Sequence, residues 1–198
     1  MPQAEPRDQA GRPPEPFRWV YKIRSLLMAP PVVFLAVCNW WEIETEPLTL
    51  GLGGAIFGLG LLLRVWSQVH LRYRLKSMRG LTRGGPYRYV RNPVYVGNIL
   101  ILLGCCLLSE LVWFAPIMLL YALAVYHCVV RYEESHLLRK HGGDYEQFLR
   151  DVPRWVPRLP AGSPCDQAPT GQWIGPALIA EAHNLLLLVP FLAKEILS

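Results

Sequence analysis

Charge is scarce in this chain. Only 18% of its 198 residues are charged, whereas 52% are hydrophobic. Soluble domains carry roughly 25% charged residues, so this balance and a positive mean hydropathy point to a membrane protein. Cysteine is equally uninformative as a scaffold. None of the five (Cys38, Cys105, Cys106, Cys128, Cys165) forms a C-x-x-C, and four lie in apolar runs. That excludes a disulfide framework or a zinc site and leaves small buried hydrophobes; no metal is expected. A glycine-rich strand-to-helix element of the soluble nucleotide-binding folds is also missing. Any cofactor must therefore be held by helix ends and loops. The apolar run begins too late, and is too interrupted by proline, for a cleaved signal peptide. A net charge of +5 arises from Lys and Arg clustered beside apolar runs. Without a nucleic-acid motif, that clustering reads as the positive-inside rule and not as a nucleic-acid partner.

What is present is a series of apolar segments between basic clusters. Residues 1–16 hold five prolines and mixed charge and are expected to be a disordered tail. Spans are expected near 25–41, kinked at Pro30-Pro31 and closed by Trp40-Trp41, and near 48–71. The second is rich in glycine, and Gly54 and Gly58 have the spacing that lets helix backbones touch. Residues 94–108 and 111–130 should form a hairpin turning at Ser109-Glu110. Its first arm is short for a hydrocarbon core of about 30 Å. Every positive cluster (the N-terminus, 72–91 and 131–158) falls on one side, and the opposite loops carry only acidic charge. Four spans with both ends cytosolic meet that pattern. After a linker at 161–172, residues 173–198 are long enough to cross, but Glu181, His183 and Asn184 interrupt them. This segment is a fifth helix packed on the bundle or an interfacial one. The fold class is thus an all-α, polytopic membrane bundle of four or five helices with cytosolic loops, its core spanning 17–160.

Two blocks carry chemistry. The first is Gly85-Pro86-Tyr87-Arg88-Tyr89-Val90-Arg91-Asn92-Pro93-Val94-Tyr95-Val96-Gly97, which leaves a basic stretch and enters an apolar one. Tyrosine and arginine suit that depth. Asn92 can cap the following helix, Pro93 can occupy its first turn, and Gly97 leaves room for a neighbouring helix or a ligand. The second block is Glu133-Glu134, His141-Gly142, Tyr145 and Phe148, then Val152-Pro153-Arg154-Trp155-Val156-Pro157. Together the blocks resemble the signature of the isoprenylcysteine carboxyl methyltransferase and phospholipid methyltransferase superfamily of integral-membrane enzymes. The resemblance covers roughly 51–160 and implies that the two blocks jointly hold S-adenosylmethionine. Prenylcysteine enzymes typically read Arg-His-Pro where this chain has Arg91-Asn92-Pro93. Gly58-Leu59-Gly60 also resembles a cofactor element of phospholipid methyltransferases.

Such a cofactor needs carboxylates for its ammonium and hydroxyls, donors for its carboxylate, and aromatics beside its sulfonium. Glu133 and Glu134 supply the first, Arg91 and Asn92 the second, and Tyr87, Tyr95 and Tyr145 the third. Pro93, Gly97 and His141 complete the candidate cofactor-binding set. Adjacent helical residues point about 100° apart, so one glutamate should face the ligand while the other pairs with a basic residue. Glu134 is expected to be the one on the cofactor. His127, Arg131 and Glu134 share a face, which makes His127, like His70, a further candidate. The catalytic role is open between Arg91 and Arg154. The expected activity is methyl transfer to a lipophilic acceptor, an isoprenylcysteine-like carboxylate or a phospholipid amine, arriving from the bilayer at the cytosolic face. A sterol-reductase-like NADPH oxidoreductase and a non-enzymatic membrane scaffold are the alternatives.

Overall fold

The computed structural model describes residues 15–38, 47–73, 80–159 and 171–191. No strand occurs among them. The helices are α1 (Glu15–Val37), α2 (Pro47–Tyr73), α3 (Pro93–Leu108), α4 (Ala115–His141), α5 (Gly143–Asp151) and α6 (Ile174–Glu181). The segments Phe17–Val37, Pro47–Tyr73, Val112–His141 and Gly171–Phe191 are long and apolar enough to cross a membrane, and Pro93–Leu108 is a shorter apolar helix. The multi-pass, all-α bundle is the expected one. Trp40-Trp41, the acidic loop that follows, most of the N-terminal tail and the linker at 161–170 lie outside the described residues.

α2 and α3 run along each other in the closest packing of the bundle, α1 lies on α4, and α6 lies on α2. The α2–α3 seam is written in small residues. Five of the six buried positions of α2, Gly53, Phe57, Gly60, Arg64 and Ser67, follow a four–three alternation that keeps one face on a neighbour, and Val69 is the sixth. A β-carbon on Gly60 would sit 2.7 Å from the carbonyl oxygen of Gly97, and one on Gly104 would sit 2.7 Å from the Phe57 amide nitrogen. Gly54 and Gly58, singled out by their four-residue spacing, meet nothing within 4 Å. The close approach uses the other face, through Gly53 and Gly60. Without a hydrophobic driving force between helices in lipid, such backbone contact supplies the packing energy. Gly104→Ala should therefore cost about 1–3 kcal/mol of stability, read as a lowered thermal midpoint in detergent. Gly54→Ala should leave that midpoint unchanged.

Three boundaries differ from the sequence expectation for physical reasons. α1 starts at Glu15 and runs through both prolines, so residues 15 and 16 belong to it and not to a tail. α4 continues eleven residues past the apolar run, to His141. Strong helix formers fill that extension, Arg139, Lys140 and His141 lie at its negative end, and Gly142, with φ +51°, closes it. The two glutamates consequently sit inside a continuous helix and not at its end. Finally, residues 171–191 form a 3-10 turn, α6, a second 3-10 stretch (Ala182–Leu187) and a short helical turn. Their interrupting acid is tied down: Glu181, 2% exposed, pairs with Arg64 at 2.5 Å. An ionised side chain at this depth requires such a partner.

Candidate active site

The site forms where α2 and α4 emerge from the bundle and α3 begins. Gly85 has a φ of +57°, and a β-carbon there would overlap the His70 ring at 2.4 Å. Glycine thus lets the signature turn back against the end of α2. A 3-10 turn, Gly85–Arg88, buries Tyr87, and Pro93 opens α3 at its first position. Asn92 stands at the cap position, but its side chain makes no cap hydrogen bond. It donates instead to the Arg154 carbonyl at 3.4 Å.

That contact belongs to a larger closure. The Arg91 amide donates to the Pro153 carbonyl at 2.9 Å, and the Arg158 amide donates to the Tyr89 carbonyl at 2.9 Å. The segment following α5 is thereby strapped across the signature through its backbone. Beneath it, Tyr145, Phe148 and Val152 pack together with Leu81, Leu137 and Leu149. Trp155 packs against the main apolar core. Arg150 and Arg158 are exposed.

The two glutamates have separate partners, as their angular offset requires. Glu134 is gripped by Arg91 (Nη1 to Oε1, 2.9 Å) and by Arg154 (Nε to Oε1, 3.1 Å; Nη2 to Oε2, 2.5 Å). Glu133 accepts a hydrogen bond from the Tyr95 hydroxyl at 2.7 Å. Glu134, expected to be the member on the cofactor, thus holds two arginines, the second delivered by the strap, and still lines one of the cavities. Glu133 is left to face the space below. Two cavities share it, one of about 370 Å³ bounded by Tyr21, Gln68, Asn92, Tyr95 and Tyr132, and one of about 110 Å³ bounded by Thr82, Glu134, Lys140, His141 and Tyr145. Tyr87, Arg91 and Glu133 line both. Burial first, and then the Glu133 charge, pushes the Tyr87 phenol well above its ordinary range. Burial followed by the Glu134 charge does the same for Tyr145. Both remain neutral hydrogen-bond donors. Among the described residues, Arg91 Nε is buried with no hydrogen-bond partner.

Of the sequence candidates, Tyr87, Arg91, Asn92, Pro93, Tyr95, Glu133, Glu134, His141 and Tyr145 all line these cavities. Arg154 reaches them only through Glu134. Gly97 does not line them: a β-carbon there would strike the Arg64 side chain at 2.6 Å, so it belongs to the helix seam. Gly60 belongs to that seam too, whereas Gly58 meets nothing within 4 Å, and neither lines the two cavities. His127 is exposed on the outer face of α4, and so is Arg131, whose guanidinium lies 5.4 Å from the Phe17 ring centroid. His127 thus leaves the site. Sequence reasoning missed Tyr21, Tyr132 and His136, which line the larger cavity. Tyr21 stacks on Tyr132 with centroids 4.8 Å apart. The position of Tyr132, next to Glu133 on α4, was its one available signal.

Residues 48–144, about half of the chain, match the model of the phospholipid methyltransferase family. The chain carries a phospholipid methyltransferase family domain. The matched stretch contains the whole signature, both glutamates and the α2–α3 seam; the strap and residues 171–191 lie beyond it. A nickel-cobalt-cadmium resistance protein of Alcaligenes xylosoxydans xylosoxydans is 28% identical over 78% of this chain and 73% of its own length. A steroid 5-alpha-reductase of Solanum lycopersicum is 35% identical over 58% of this chain and 45% of its own. A methanethiol S-methyltransferase of Crocosphaera subtropica is 34% identical over 46% of this chain, which spans only 35% of that relative. No solved structure matches.

Proposed function

We propose that this protein is an integral-membrane, S-adenosylmethionine-dependent methyltransferase acting on a lipophilic acceptor. The observation that carries the reading is the donor set around the two cavities. A carboxylate (Glu133), a guanidinium with an unused buried N–H (Arg91), and the neutral phenols of Tyr87 and Tyr145 converge on these two cavities. These groups fit the ammonium, carboxylate and sulfonium of one amphoteric ligand. Bound there, S-adenosylmethionine would supply an electrophilic methyl whose transfer breaks the carbon–sulfur bond and leaves a neutral thioether. The chain's own residues then have assignable tasks. Glu133 holds the ammonium, and Arg91 holds the carboxylate through Nε. Tyr87 and Tyr145 place π-faces and hydroxyls near the cation. Arg154 is a positioning residue: by gripping Glu134 it fixes Arg91 from the other side and ties the strap to α4. His141 lines the smaller cavity as a further polar contact for the cofactor, and Asn92 and Pro93 set the direction in which Arg91 points. Catalysis would come mainly from bringing donor and acceptor together away from water.

Titration of purified protein with S-adenosylmethionine and with NADPH tests this reading. Saturable binding of the first alone is the expected result. The similarity to a steroid 5-alpha-reductase favours NADPH oxidoreduction as the second reading, and binding of NADPH alone would establish it. A scaffold would bind neither. The acceptor class follows from labelled-methyl incorporation into lipid extracts, where methyl ester and methylamine products separate a carboxylate acceptor from an amine.

The same proposal places both blocks and the N-terminus in the cytosol, since every basic cluster lies on that side. In a cysteine-free background, a membrane-impermeant thiol reagent applied from outside should label Thr45→Cys and miss Asp144→Cys. The reverse pattern would put the site on the wrong face for a soluble cofactor.

A further inference from the structure

One buried ion pair has no task in the site described so far. Arg64 on α2 is 9% exposed and Glu181 at the end of α6 is 2% exposed, and they meet at 2.5 Å between Nε and Oε2. Both belong to segments long and apolar enough to cross a membrane. Such a pair is costly to desolvate, and apolar side chains of similar size often hold two helices together as well or better. Fastening alone therefore does not account for it. What an arginine adds is direction. Its guanidinium is planar and rigid, so anchoring Nε fixes where Nη1 points.

Both ends of the pair are held in place. Glu181 Oε2 also accepts from Asn184 Nδ2 at 2.7 Å. The stem of Arg64 lies against Gly97, where a β-carbon would approach its Cγ to 2.6 Å. Nη1 then donates to the Asn98 side-chain oxygen on α3, and the Asn98 amide group in turn donates to the Tyr126 hydroxyl on α4. The Tyr126 ring packs on the Tyr95 ring with centroids 5.0 Å apart. Finally, the Tyr95 hydroxyl donates to Glu133 at 2.7 Å. An unbroken series of contacts thus joins the C-terminal segment to the carboxylate assigned to the cofactor ammonium. Helix geometry lines it up, because Tyr95 and Asn98 share a face of α3, and Tyr126 and Glu133 share a face of α4.

We propose that Glu181 is a positioning residue for the cofactor site. By holding Arg64 it aims Asn98 and Tyr126, and through the Tyr95 ring it sets the direction of Glu133. The C-terminal segment, outside the family match, is then a working part of the site and not only a prop for the bundle. As an effect on S-adenosylmethionine affinity this rests on the methyltransferase reading, whereas as an orientation of Tyr95 it does not.

The test uses full-length protein in nanodiscs with three readouts: S-adenosylmethionine affinity, thermal midpoint, and the ring carbon-13 signal of Tyr95, assigned by its loss in Tyr95→Phe. Glu181→Gln should weaken binding about five- to tenfold and shift the Tyr95 signal. It also strands the Arg64 charge, so the midpoint should fall. Arg64→Met combined with Glu181→Leu separates the two effects. It removes both buried charges and should restore the midpoint, yet it gives Asn98 no donor, so the weak binding and the shifted signal should persist. Recovery of all three readouts together would make the pair purely structural and overturn the proposal. Tyr126→Phe keeps the ring on Tyr95 and removes only the hydroxyl. It should weaken binding by itself and add little to Glu181→Gln, because both cut one series of contacts. Full additivity overturns the route through Tyr126. Ile179→Ala, at a 79% exposed position of the same segment, should change no readout. If the parent protein binds no S-adenosylmethionine, the methyltransferase reading fails and the Tyr95 signal decides alone: unmoved by Glu181→Gln, it overturns the positioning.

Discussion

Glu133→Gln should weaken S-adenosylmethionine binding by about one to two decades while leaving the fold intact. A charge-assisted hydrogen bond contributes about 1.5–3 kcal/mol, and every 1.4 kcal/mol is about tenfold in affinity. Glutamine keeps the shape and still accepts from the Tyr95 hydroxyl, which lies 2.7 Å from Glu133, so only the charge offered to the ligand's ammonium is removed. Glu110→Gln at the far end of the α3–α4 hairpin is the control and should change nothing in a calorimetric titration. The outcome also distinguishes the two adjacent glutamates. Glu134→Gln removes the shared acceptor of Arg91 and Arg154 and should lower thermal stability along with affinity. If Glu133→Gln bound the cofactor as tightly as the parent protein, its carboxylate would not be a ligand.

The division of labour between those residues shows where sequence stops being informative. Both chemical blocks were legible because each is local, and charge asymmetry gave an arrangement that brings them to one end of the bundle. Their angular offset on α4 dictated that the two glutamates must differ. It could not say which one the strap would claim, because Arg154 reaches Glu134 only after α5 has folded back and the Arg91 amide has bonded to Pro153. The length of α4 was hidden for another reason. Hydropathy ends with the membrane at about Val130, but helix propensity and capping decide where the helix ends. Glycine spacing located the α2–α3 contact within the right helix and on the wrong face, since four-residue steps mark closeness only when a partner lies on that side. The Arg64–Glu181 pair joins residues 117 positions apart; nothing local to either one announces the other.

Arg91 is the residue on which the cofactor and strap arguments converge, and Arg91→Lys separates a planar fork from a point charge. Arginine here donates Nη1 to Glu134 at 2.9 Å while Nε stays buried and free. Lysine carries the same charge on one compact ammonium and cannot serve two acceptors in fixed directions. It can keep the Glu134 contact or turn to the ligand's carboxylate, and each choice forfeits a charge-assisted bond. The bond that survives is also longer and less well aimed. Combining the two losses, methyl transfer should fall by about two decades or more, with expression and membrane insertion unchanged because the charge count is unchanged. Arg150→Lys, the same chemical change on the exposed side of α5, should retain the parent rate. Rates are to be compared on equal amounts of folded protein, with S-adenosylmethionine affinity measured alongside. A fall in rate and affinity together assigns Arg91 to the cofactor carboxylate, and a fall in rate alone assigns it to the acceptor. Parent-like rates in both variants would reduce Arg91 to a strap anchor and move the search for the carboxylate's partner to Lys140 and His141 on the wall of the smaller cavity.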